Sequence, residues 1–407
     1  MILLFVGWSF GNLWYLATGS IKTGFKKYSL TIKTKLLIFC DWYAPAFKAG
    51  GPIRSIVNLV ERFKHEYDIH VFTSDRDINQ KKPFIDIATD QWLKQEGYHI
   101  WYYSPGTMSF KKVKAVIAEI NPSRIYLNSM FSNMIKPIMA AYATGKVIIA
   151  PRGMLRSSAL AVKPIRKFFY LWFLRMLGID RYLNFHSTGE DETQDIKRCF
   201  PAAKKIVLAQ NLPVSVNEQL TPIEKPIGLL RIIFVGRLHP IKKLDFLLEA
   251  LAKAKGDIKL DIVATREDEA YWKQCKKMIG KLQLKFDITT YIDLPHNKIK
   301  PLLEKAHLFA LPTEGENFGH AIFEALAVGC PVLISNQTPW QSLKEQKAGV
   351  ELPLTAQSRF TEVIQEFVEM PDAAWQEYRQ GAWSLAKSYQ QNLASAEQYH
   401  QLFKNAE

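Results

Sequence analysis

Cysteine is scarce in this 407-residue sequence, and acidic residues are outnumbered by basic ones. The cysteines lie far apart and form no C-x-x-C pair, which argues against a disulfide framework or a zinc cluster and favours a reducing compartment. They are Cys40, Cys199, Cys275 and Cys330. The 39 Asp and Glu face 53 Lys and Arg, so the formal net charge is +14 at pH 7. This charge predicts a polyanionic partner. The three candidates are nucleic acid, an anionic membrane surface and a phosphorylated substrate.

Repeats and low-complexity tracts are also missing, and the one long apolar run is residues 1–18. Hydrophobic residues make up 48% and charged residues 23% of the chain, which excludes a disordered, collagen-like or multi-span membrane protein. Residues 1–18 carry no charged side chain, but they are borderline for the about 20 apolar residues of a spanning helix. If they enter a membrane, the lysines that follow place the body of the protein in the cytoplasm. We interpret residues 1–34 as an N-terminal extension: a membrane-associated segment, a loosely packed tail or the result of a start codon assigned too far upstream.

From Leu36 onwards, apolar strand-like segments alternate with amphipathic helical segments. This alternation predicts parallel sheets with helices on both faces. The strands predicted in the first half are residues 36–40, 69–73, 100–103, 124–127 and 147–150, and the helices include 52–63, 111–119 and 132–143. The strands predicted in the second half are residues 231–235, 259–263, 287–291, 308–311 and 331–334, and the helices include 244–253, 267–281 and 318–328.

The division into domains follows from a break between these two runs. Residues 212–228 contain three prolines and no useful periodicity, so they are interpreted as a linker. We predict an α/β protein with two Rossmann-like domains, residues 35–211 and 229–384, which face each other across a cleft. A helix in residues 385–407 is expected to pack back on the first domain. Ligands of such sheets bind outside the carboxyl ends of the strands.

The segment FVGRLHPIKK carries the first candidate site of the second half. A strand is expected to end at Val235, where Gly236 allows a tight turn and Arg237 and Lys242 project from the loop. Two cations beside a helix N-terminus suit a diphosphate. The alternative is a solvated basic loop, since charge runs usually lie on the surface.

The second candidate site follows the strand that ends near residue 311. A loop carries Glu316, and a helix is expected to open near Phe318 and Gly319 with free N–H groups facing that loop. Glu324 lies among apolar residues of this helix, and a buried carboxylate is costly without hydrogen-bond partners. Sugar hydroxyls are suitable donors. The alternative is a structural carboxylate paired with a backbone donor or an Arg.

Glu316 and Glu324 are separated by seven residues in the segment ENFGHAIFE. This segment resembles the E-x7-E signature of the retaining enzymes of glycosyltransferase family 4, the glycosyl transferases group 1, which have the GT-B fold. The upstream GRLHPIK is similar to the G-R-L-x-x-x-K segment of the same family. The resemblance covers the chain from about Lys35 to the end. The P-R-G at residues 151–153 and T-P-W at residues 338–340 resemble members that build bacterial surface polysaccharides, including lipopolysaccharide.

The resemblance implies a role for each matched residue. Arg237 and Lys242 would neutralise the donor diphosphate, Glu324 would hold the ribose hydroxyls, and Glu316 would contact the transferred sugar. The implied catalytic residues are Glu316, Arg237 and Lys242, and the implied donor contacts are Glu324, Asn317, Phe318, Gly319, Gly236, Gly50 and Gly51. No metal and no cofactor are implied besides the nucleotide diphosphate sugar as co-substrate. Lys243 and the Ala264–Thr265 pair depart from the family pattern, so the base of the nucleotide is not named.

The first half would supply the acceptor side of the cleft. Gly50 and Gly51 follow the first strand and let the backbone approach a ligand closely, although glycine is also common in turns. The acceptor-side candidates are Arg152, Gly153, Arg54 and His186. His186 precedes a predicted helix start, where helix capping by Ser187 or Thr188 is the competing interpretation. Residues 128–133 occupy the place where many relatives carry a loop histidine and contain none.

Two further patterns have a functional and a structural interpretation. Asp75-Arg76-Asp77 is a literal D-x-D, which holds a metal in other glycosyltransferases, but two carboxylates in a turn are usually solvated. Residues 163–181 combine five cations with a dense aromatic run. They form either a core helix with a basic end or a membrane-surface helix that meets a lipid-linked acceptor. Nucleic acid is not expected, because no basic-aromatic RNA motif or zinc finger is present.

The sequence therefore predicts a retaining glycosyltransferase that moves a sugar from a nucleotide diphosphate sugar to a saccharide or lipid-linked saccharide in cell-surface polysaccharide biosynthesis. It is expected in the cytoplasm, peripheral on the inner face of the cytoplasmic membrane. Two alternatives stay open. One is a GT-B nucleotide-sugar epimerase, and the other is a catalytically inactive nucleotide-sugar-binding partner in a polysaccharide assembly complex.

Overall fold

The first half of the chain is built on an eight-stranded sheet. The computed structural model describes residues 33–404, apart from Pro105, Asn392 and Leu393, so the predicted extension 1–34 lies outside the described residues except for its last two. The strands are β1 (Lys35–Phe39), β2 (Asp68–Ser74), β3 (Trp92–Gln95), β4 (Tyr98–Tyr103), β5 (Arg124–Leu127), β6 (Val147–Ile149), β7 (Asn184–Ser187) and β8 (Lys205–Leu208). Their order is β3-β4-β2-β1-β5-β6-β7-β8, and only the edge pair β3–β4 is antiparallel.

Six helices accompany this sheet in the described part of the chain. They are α1 (Gly51–Phe63), α2 (Phe110–Ile120), α3 (Ile135–Ala141), α4 (Ser157–Ala161), α5 (Pro164–Met176) and α6 (Glu190–Cys199). The parallel strands are apolar on both faces, so side chains alternate between two separate cores. Leu37 and Phe39 enter one core, and Leu36 and Ile38 enter the other.

The second half forms a six-stranded sheet in which every pair is parallel. Its strands are β9 (Leu229–Leu238), β10 (Asp257–Arg266), β11 (Asp287–Ile292), β12 (Leu308–Leu311), β13 (Val332–Ser335) and β14 (Gly349–Leu352), in the order β11-β10-β9-β12-β13-β14. Its helices are α7 (Leu244–Lys253), α8 (Glu269–Leu282), α9 (Lys300–Leu303), α10 (His320–Ala327), α11 (Gln357–Glu369) and α12 (Asp372–Gln391), and α13 (Ala394–Phe403) follows.

The C-terminal helices belong to different cores. Helix α12 contributes Trp375, Ala382 and Ala386 to the core of the second sheet. Helix α13 instead places Tyr399 and Phe403 in a core of the first sheet. Residues 212–228, predicted as a linker, contain no helix or strand. The domain boundaries drawn from the sequence stay predictions.

The structure corrects the expected end of the first strand in the second half. Strand β9 does not stop at Val235, because its pairing with β10 continues through Gly236, Arg237 and Leu238. Gly236 is therefore a strand residue and not the pivot of a tight turn. The turn comes later, at the short 3-10 segment Pro240–Lys242.

Helix α5 is a surface helix, so the core-helix interpretation of residues 163–181 was wrong. Leu174 is its one buried residue, while its aromatic face is exposed. The exposed fractions are 63% for Phe168, 59% for Phe169, 49% for Trp172 and 57% for Met176. None of the helices in the described ranges combines the length and apolar character that crossing a membrane requires.

Candidate active site

A cavity of about 320 Å³ opens between the carboxyl ends of the two sheets. It brings together loops that lie far apart in sequence, as expected for parallel sheets. Among the residues that line it, the first half provides Gly50, Gly51, Arg54, Ser55, Arg152 and Asn211. The second half provides Gly236, Arg237, Lys242, Ala264, Thr265, His296, Glu316, Asn317, Phe318, Gly319, His320 and Glu324. Of the predicted site residues, Gly153 and His186 are the two outside this lining.

Arg237 and Lys242 form the basic wall of the cavity, and each is paired with a carboxylate. Arg237 Nη1 donates to both carboxylate oxygens of Glu267 at 2.8 Å. Lys242 forms an ion pair with Glu316, and both side chains are largely buried. A β-carbon at Gly236 would lie 3.3 Å from the Phe234 ring, so a side chain here would crowd that ring.

Glu316 is followed by the N-terminus of α10, which begins at His320, two residues after the predicted opening. Gly319 caps it with a φ of +79°, in the left-handed region that glycine tolerates. The carbonyl of Phe318 accepts from Trp340 Nε1 at 2.6 Å, which fixes the loop. No described residue accepts a hydrogen bond from the amides of residues 317–319. These amides, with the first turn of α10, can hold an anion.

Glu324 is paired by a histidine that the sequence analysis did not single out. His296 Nε2 lies 2.9 Å from Glu324 Oε1, and His296 Nδ1 lies 3.0 Å from Arg54 Nη1. Burial raises the pKa of Glu324, but the hydrogen bond with His296 and the charge of Arg54 outweigh it, so the pKa lies below its ordinary value. The carboxylate is therefore ionised and can accept hydrogen bonds at neutral pH. The signal for His296 was its place just after the third predicted strand of the second half, residues 287–291.

A second network of polar side chains joins the two halves along the wall of the cavity. Ser55 Oγ lies 3.0 Å from His320 Nε2 and donates to Asn211 Oδ1 at 3.2 Å. Arg152 also donates to Asn211 Oδ1, at 2.6 Å, and to Tyr126 Oη at 2.8 Å. Burial lowers the pKa of His320 to about 3, so its ring is neutral. Arg152 is therefore held in place by fixed acceptors, with its guanidinium at the cavity.

The structure places His186 in the core and not at the cleft, which corrects the prediction that it contacts the acceptor. Its Nδ1 lies 2.7 Å from Tyr126 Oη, and its Nε2 lies 2.7 Å from the Ala209 carbonyl. Complete burial lowers its pKa to about 3. Gly153 lies beside the cavity, where its amide donates to Glu192 Oε1 at 2.6 Å. Glu192 also accepts from the Thr188 amide at 2.8 Å. The cap residue of α6 is Gly189, without a side-chain capping hydrogen bond, so the expected capping by Ser187 or Thr188 was wrong.

Both carboxylates of the D-x-D triplet are engaged in the fold. Asp75 accepts from Arg76 Nε at 2.7 Å and from Ser104 Oγ at 2.8 Å. Asp77 Oδ2 accepts from the amides of Phe47 and Lys48 at 2.8 and 3.1 Å. Asp77 therefore anchors the loop that carries Gly50 and Gly51, a positioning function that the sequence did not reveal.

Direct contacts bridge the cavity mouth. Lys48 Nζ lies 2.7 Å from Asp293 Oδ2. Asn317 accepts from Arg156 Nη2 at 3.1 Å and donates to Thr188 Oγ1 at 2.8 Å. The two halves are thus in a closed arrangement, with polar side chains of one sheet meeting those of the other.

Comparison with known proteins gives the class to which this fold and site correspond. Residues 217–381 match the family model for glycosyl transferases group 1. The chain is 24% identical over 230 residues to the O-antigen chain mannosyltransferase RfbU of Salmonella typhimurium, which covers 54% of this chain and 63% of that protein. It is 26% identical over 146 residues to D-inositol 3-phosphate glycosyltransferase of Segniliparus rotundus, which covers 35% of this chain and 32% of that protein. The matches thus span less than two thirds of either relative.

The solved structure of Anabaena Alr3699/HepE in complex with UDP and glucose resembles this chain over its length. The TM-score is 0.65 at 14% identity, and the match covers 91% of this chain and 99% of that chain. The predicted fold, GT-B with two Rossmann-like domains, is confirmed. Residues 217–381 are thus similar to glycosyl transferases group 1, and parts of this chain are similar to the two named glycosyltransferases.

Proposed function

We propose that this chain transfers a sugar from a nucleotide diphosphate sugar to a hydroxyl of a saccharide or lipid-linked saccharide in cell-surface polysaccharide biosynthesis. One observation carries the proposal. The side chains of Arg237, Lys242, Glu316 and Glu324 line the same cavity as the N-terminus of α10. The relative named as an O-antigen chain mannosyltransferase supports the polysaccharide context. Membership of glycosyltransferase family 4 and retention of the anomeric configuration are parts of this proposal.

The donor diphosphate would bind at the basic wall. Lys242 and Arg237 now neutralise Glu316 and Glu267, and phosphate oxygens would compete for the same N–H donors. The α10 N-terminus adds amide donors and the positive end of a helix dipole. Because Glu324 is ionised and faces the same cavity, the ribose hydroxyls can donate to it.

The reaction is proposed to proceed on one face of the sugar. The bond between the anomeric carbon and the phosphate oxygen breaks, the acceptor oxygen bonds to that carbon, and the acceptor proton passes to the leaving phosphate. Negative charge develops on the diphosphate, where Arg237, Lys242 and the α10 amides stabilise it. Glu316, released from Lys242, would then contact the transferred sugar. Closure of the two halves limits donor hydrolysis by water.

Donor binding tests the site. The full chain is screened by thermal shift with UDP-, GDP-, ADP- and dTDP-sugars without added metal. One nucleotide series should stabilise the wild type, and Glu324→Gln and Lys242→Ala should weaken binding about 10- to 150-fold, since charge-assisted hydrogen bonds contribute about 1.5–3 kcal/mol. Lys243→Ala is the matched control, because Lys243 pairs with Glu314 outside the cavity lining. Equal binding by all variants would refute the site assignment.

Product analysis then separates the alternatives. With acceptor, NMR of the product should show the anomeric configuration of the donor. An isomerised nucleotide sugar formed without acceptor would identify an epimerase. Donor binding with no turnover under any acceptor would identify an inactive partner in an assembly complex.

We further propose that the exposed face of α5 binds an anionic membrane surface and so brings the enzyme to a lipid-linked acceptor. Large apolar side chains protrude beside cations of the same segment, a combination suited to headgroups and acyl chains. The cations are Lys163, Arg166, Lys167, Arg175 and Arg181. No acidic residue lies within α5, so its charge complements anionic lipid.

Vesicle co-sedimentation tests this surface. The full chain should bind vesicles containing phosphatidylglycerol more tightly than pure phosphatidylcholine vesicles, and added salt should weaken the binding. Replacing Phe169 and Trp172 together by Ser should lower the partition coefficient at least about tenfold, given the about 1.5–3 kcal/mol for burying a large apolar side chain. Leu284→Ser, at a 91% exposed apolar residue elsewhere, is the control. Binding unchanged by the double substitution would exclude α5 as the membrane face.

A further inference from the structure

Two imidazoles and one carboxylate meet at the amino-terminal ends of the strands of the first sheet, opposite the end that lines the cavity. Asp68 and His70 lie on β2, two residues apart and therefore on the same face of the strand. His99 lies on β4, directly opposite His70 in the parallel register. The D-x-H pattern on one strand and a histidine at the paired position of its neighbour place three potential ligands together.

The atoms are close enough to share an ion. One ligand atom from each of the three side chains lies within 4.8 Å of the others. The two imidazole rings are stacked with centroids 4.8 Å apart and an interplanar angle of 14°. Asp68 Oδ1 is 3.6 Å from His70 Nδ1, which is longer than a hydrogen bond.

One nitrogen of each imidazole has no hydrogen-bond partner in the described part of the chain. Nδ1 of His70 and Nδ1 of His99 are both buried and lack a hydrogen bond. His70 is 8% exposed, and the ring of Trp92 on the edge strand β3 packs edge-on against it at 5.2 Å. A buried polar atom without a partner costs about 1–3 kcal/mol, so two on neighbouring strands require an explanation.

We propose that Asp68, His70 and His99 form a binding site for a divalent transition-metal ion, with Zn²⁺ as the favoured occupant. Two imidazole nitrogens and one carboxylate oxygen are a borderline donor set that suits Zn²⁺, Co²⁺ or Ni²⁺, whereas Mg²⁺ and Ca²⁺ prefer oxygen ligands. The ion would satisfy both orphan nitrogens and cross-link β2 to β4. It has no part in sugar transfer, because the cavity lies at the other end of the strands.

Binding an ion requires the two stacked rings to turn out of their parallel arrangement, because an imidazole nitrogen binds a metal in the plane of its ring. Ligand atoms around a tetrahedral Zn²⁺ ion lie about 3.3 Å apart, as follows from bond lengths near 2.0–2.2 Å. Asp68 and His99 are partly exposed, so their side chains can rotate toward His70. The exposed edge at Asp68 also gives the ion a path from solvent and leaves a fourth position for water.

Cobalt binding tests the proposal on the untagged full chain. After treatment with a chelator, Co²⁺ is titrated and its visible d–d absorption is recorded, followed by displacement with Zn²⁺. We expect one ion per chain and a raised thermal midpoint with Zn²⁺. His70→Gln, His99→Gln and Asp68→Asn should each weaken binding by at least about 100-fold, since loss of an outer partner alone costs 10–100-fold. His65→Gln, at an exposed histidine in the preceding turn, should bind as the wild type does.

The outcomes are separable. Loss of the absorption band in His99→Gln, with an unchanged circular dichroism spectrum, supports the site even if His70→Gln fails to fold. Absence of the band in the wild type, or a band of equal strength in His99→Gln and Asp68→Asn, overturns it. Donor binding at the cleft should be the same with and without Zn²⁺, so failure here is distinct from failure of the proposed transferase site.

Discussion

The surroundings of two carboxyl groups on the cleft side of the molecule shift their pKa values in opposite directions. Glu324 keeps its charge despite burial, because His296 and Arg54 lie beside it. Asp41, just after β1, forms no ion pair with any residue that the structure describes, and burial raises its pKa to about 6, opposed only by the hydrogen bond from Ser129. Charged partners therefore decide which of the two carboxylates is stable in its ionised form.

Replacing Asp41 by Asn should stabilise the protein more at high pH than at low pH. Between its ordinary pKa of 3.8 and the native value of about 6, the native state binds more protons than the unfolded state, so stability falls as pH rises through this window. Asp41→Asn still accepts from Ser129 and carries no charge. We expect a gain on the order of 1–3 kcal/mol at pH 8 and about half of it at pH 5. Urea midpoints at both values measure this, and a gain that did not depend on pH would contradict it.

At this scale, the sequence predicted which residues belong to the cavity better than it predicted their partners. Lys242 and Glu316 lie in loops that follow strands, and Glu324 lies in the helix after such a loop, so topology alone brings these positions together. His296 as the partner of Glu324 depends on how a turn before α9 meets α10, which no local pattern encodes. His186 lies in a core because Tyr126 and Ala209 satisfy both of its nitrogens.

The strands also differ in how well the sequence predicted them. Strands β5 and β12 have the predicted bounds, since short, mostly apolar and fully buried runs are typical of parallel strands. Strand β3 was not predicted, because it is a four-residue edge strand of mixed exposure. Strand β9 was predicted too short, because glycine and arginine resemble loop residues, although the ladder with β10 continues through them.

Helix α12 offers a test of whether close backbone packing outweighs the higher helix propensity of alanine over glycine. Gly→Ala inside a helix usually gains about 0.5–1 kcal/mol. A β-carbon at Gly381 would lie 2.3 Å from the carbonyl oxygens of Gln346 and Lys347, so the backbone must shift, at a cost of about 1–3 kcal/mol. Gly381→Ala should therefore lower the thermal midpoint.

Gly280 in α8 is the matched control, because a β-carbon there would have no neighbour within 4 Å. Gly280→Ala should raise the midpoint. If both substitutions stabilised the protein, the close approach of α12 to residues 346–347 would be refuted.

The two C-terminal helices connect the two halves of the molecule. Helix α12 packs on the second sheet, and α13 returns to pack on the first. Phe403 and Tyr399 are almost fully buried and pack against Phe63 of α1. The match to the glycosyl transferases group 1 model ends at residue 381, before this return. The return helix is therefore a structural connection between the halves that the matched segment does not include.

Removing the buried Phe403 side chain of α13 should destabilise the first half more than the second half. Phe403→Ala deletes a buried aromatic ring, a change that costs about 3–5 kcal/mol in a core. Hydrogen exchange by mass spectrometry should show faster exchange in α1 and β8, which border this core, and unchanged exchange in β9. Gln401→Ala, at an exposed position of the same helix, should leave all three unchanged. Equal loss of protection in β9 would mean that the two halves unfold as one cooperative unit, and donor binding measured under the same conditions would then fall with it.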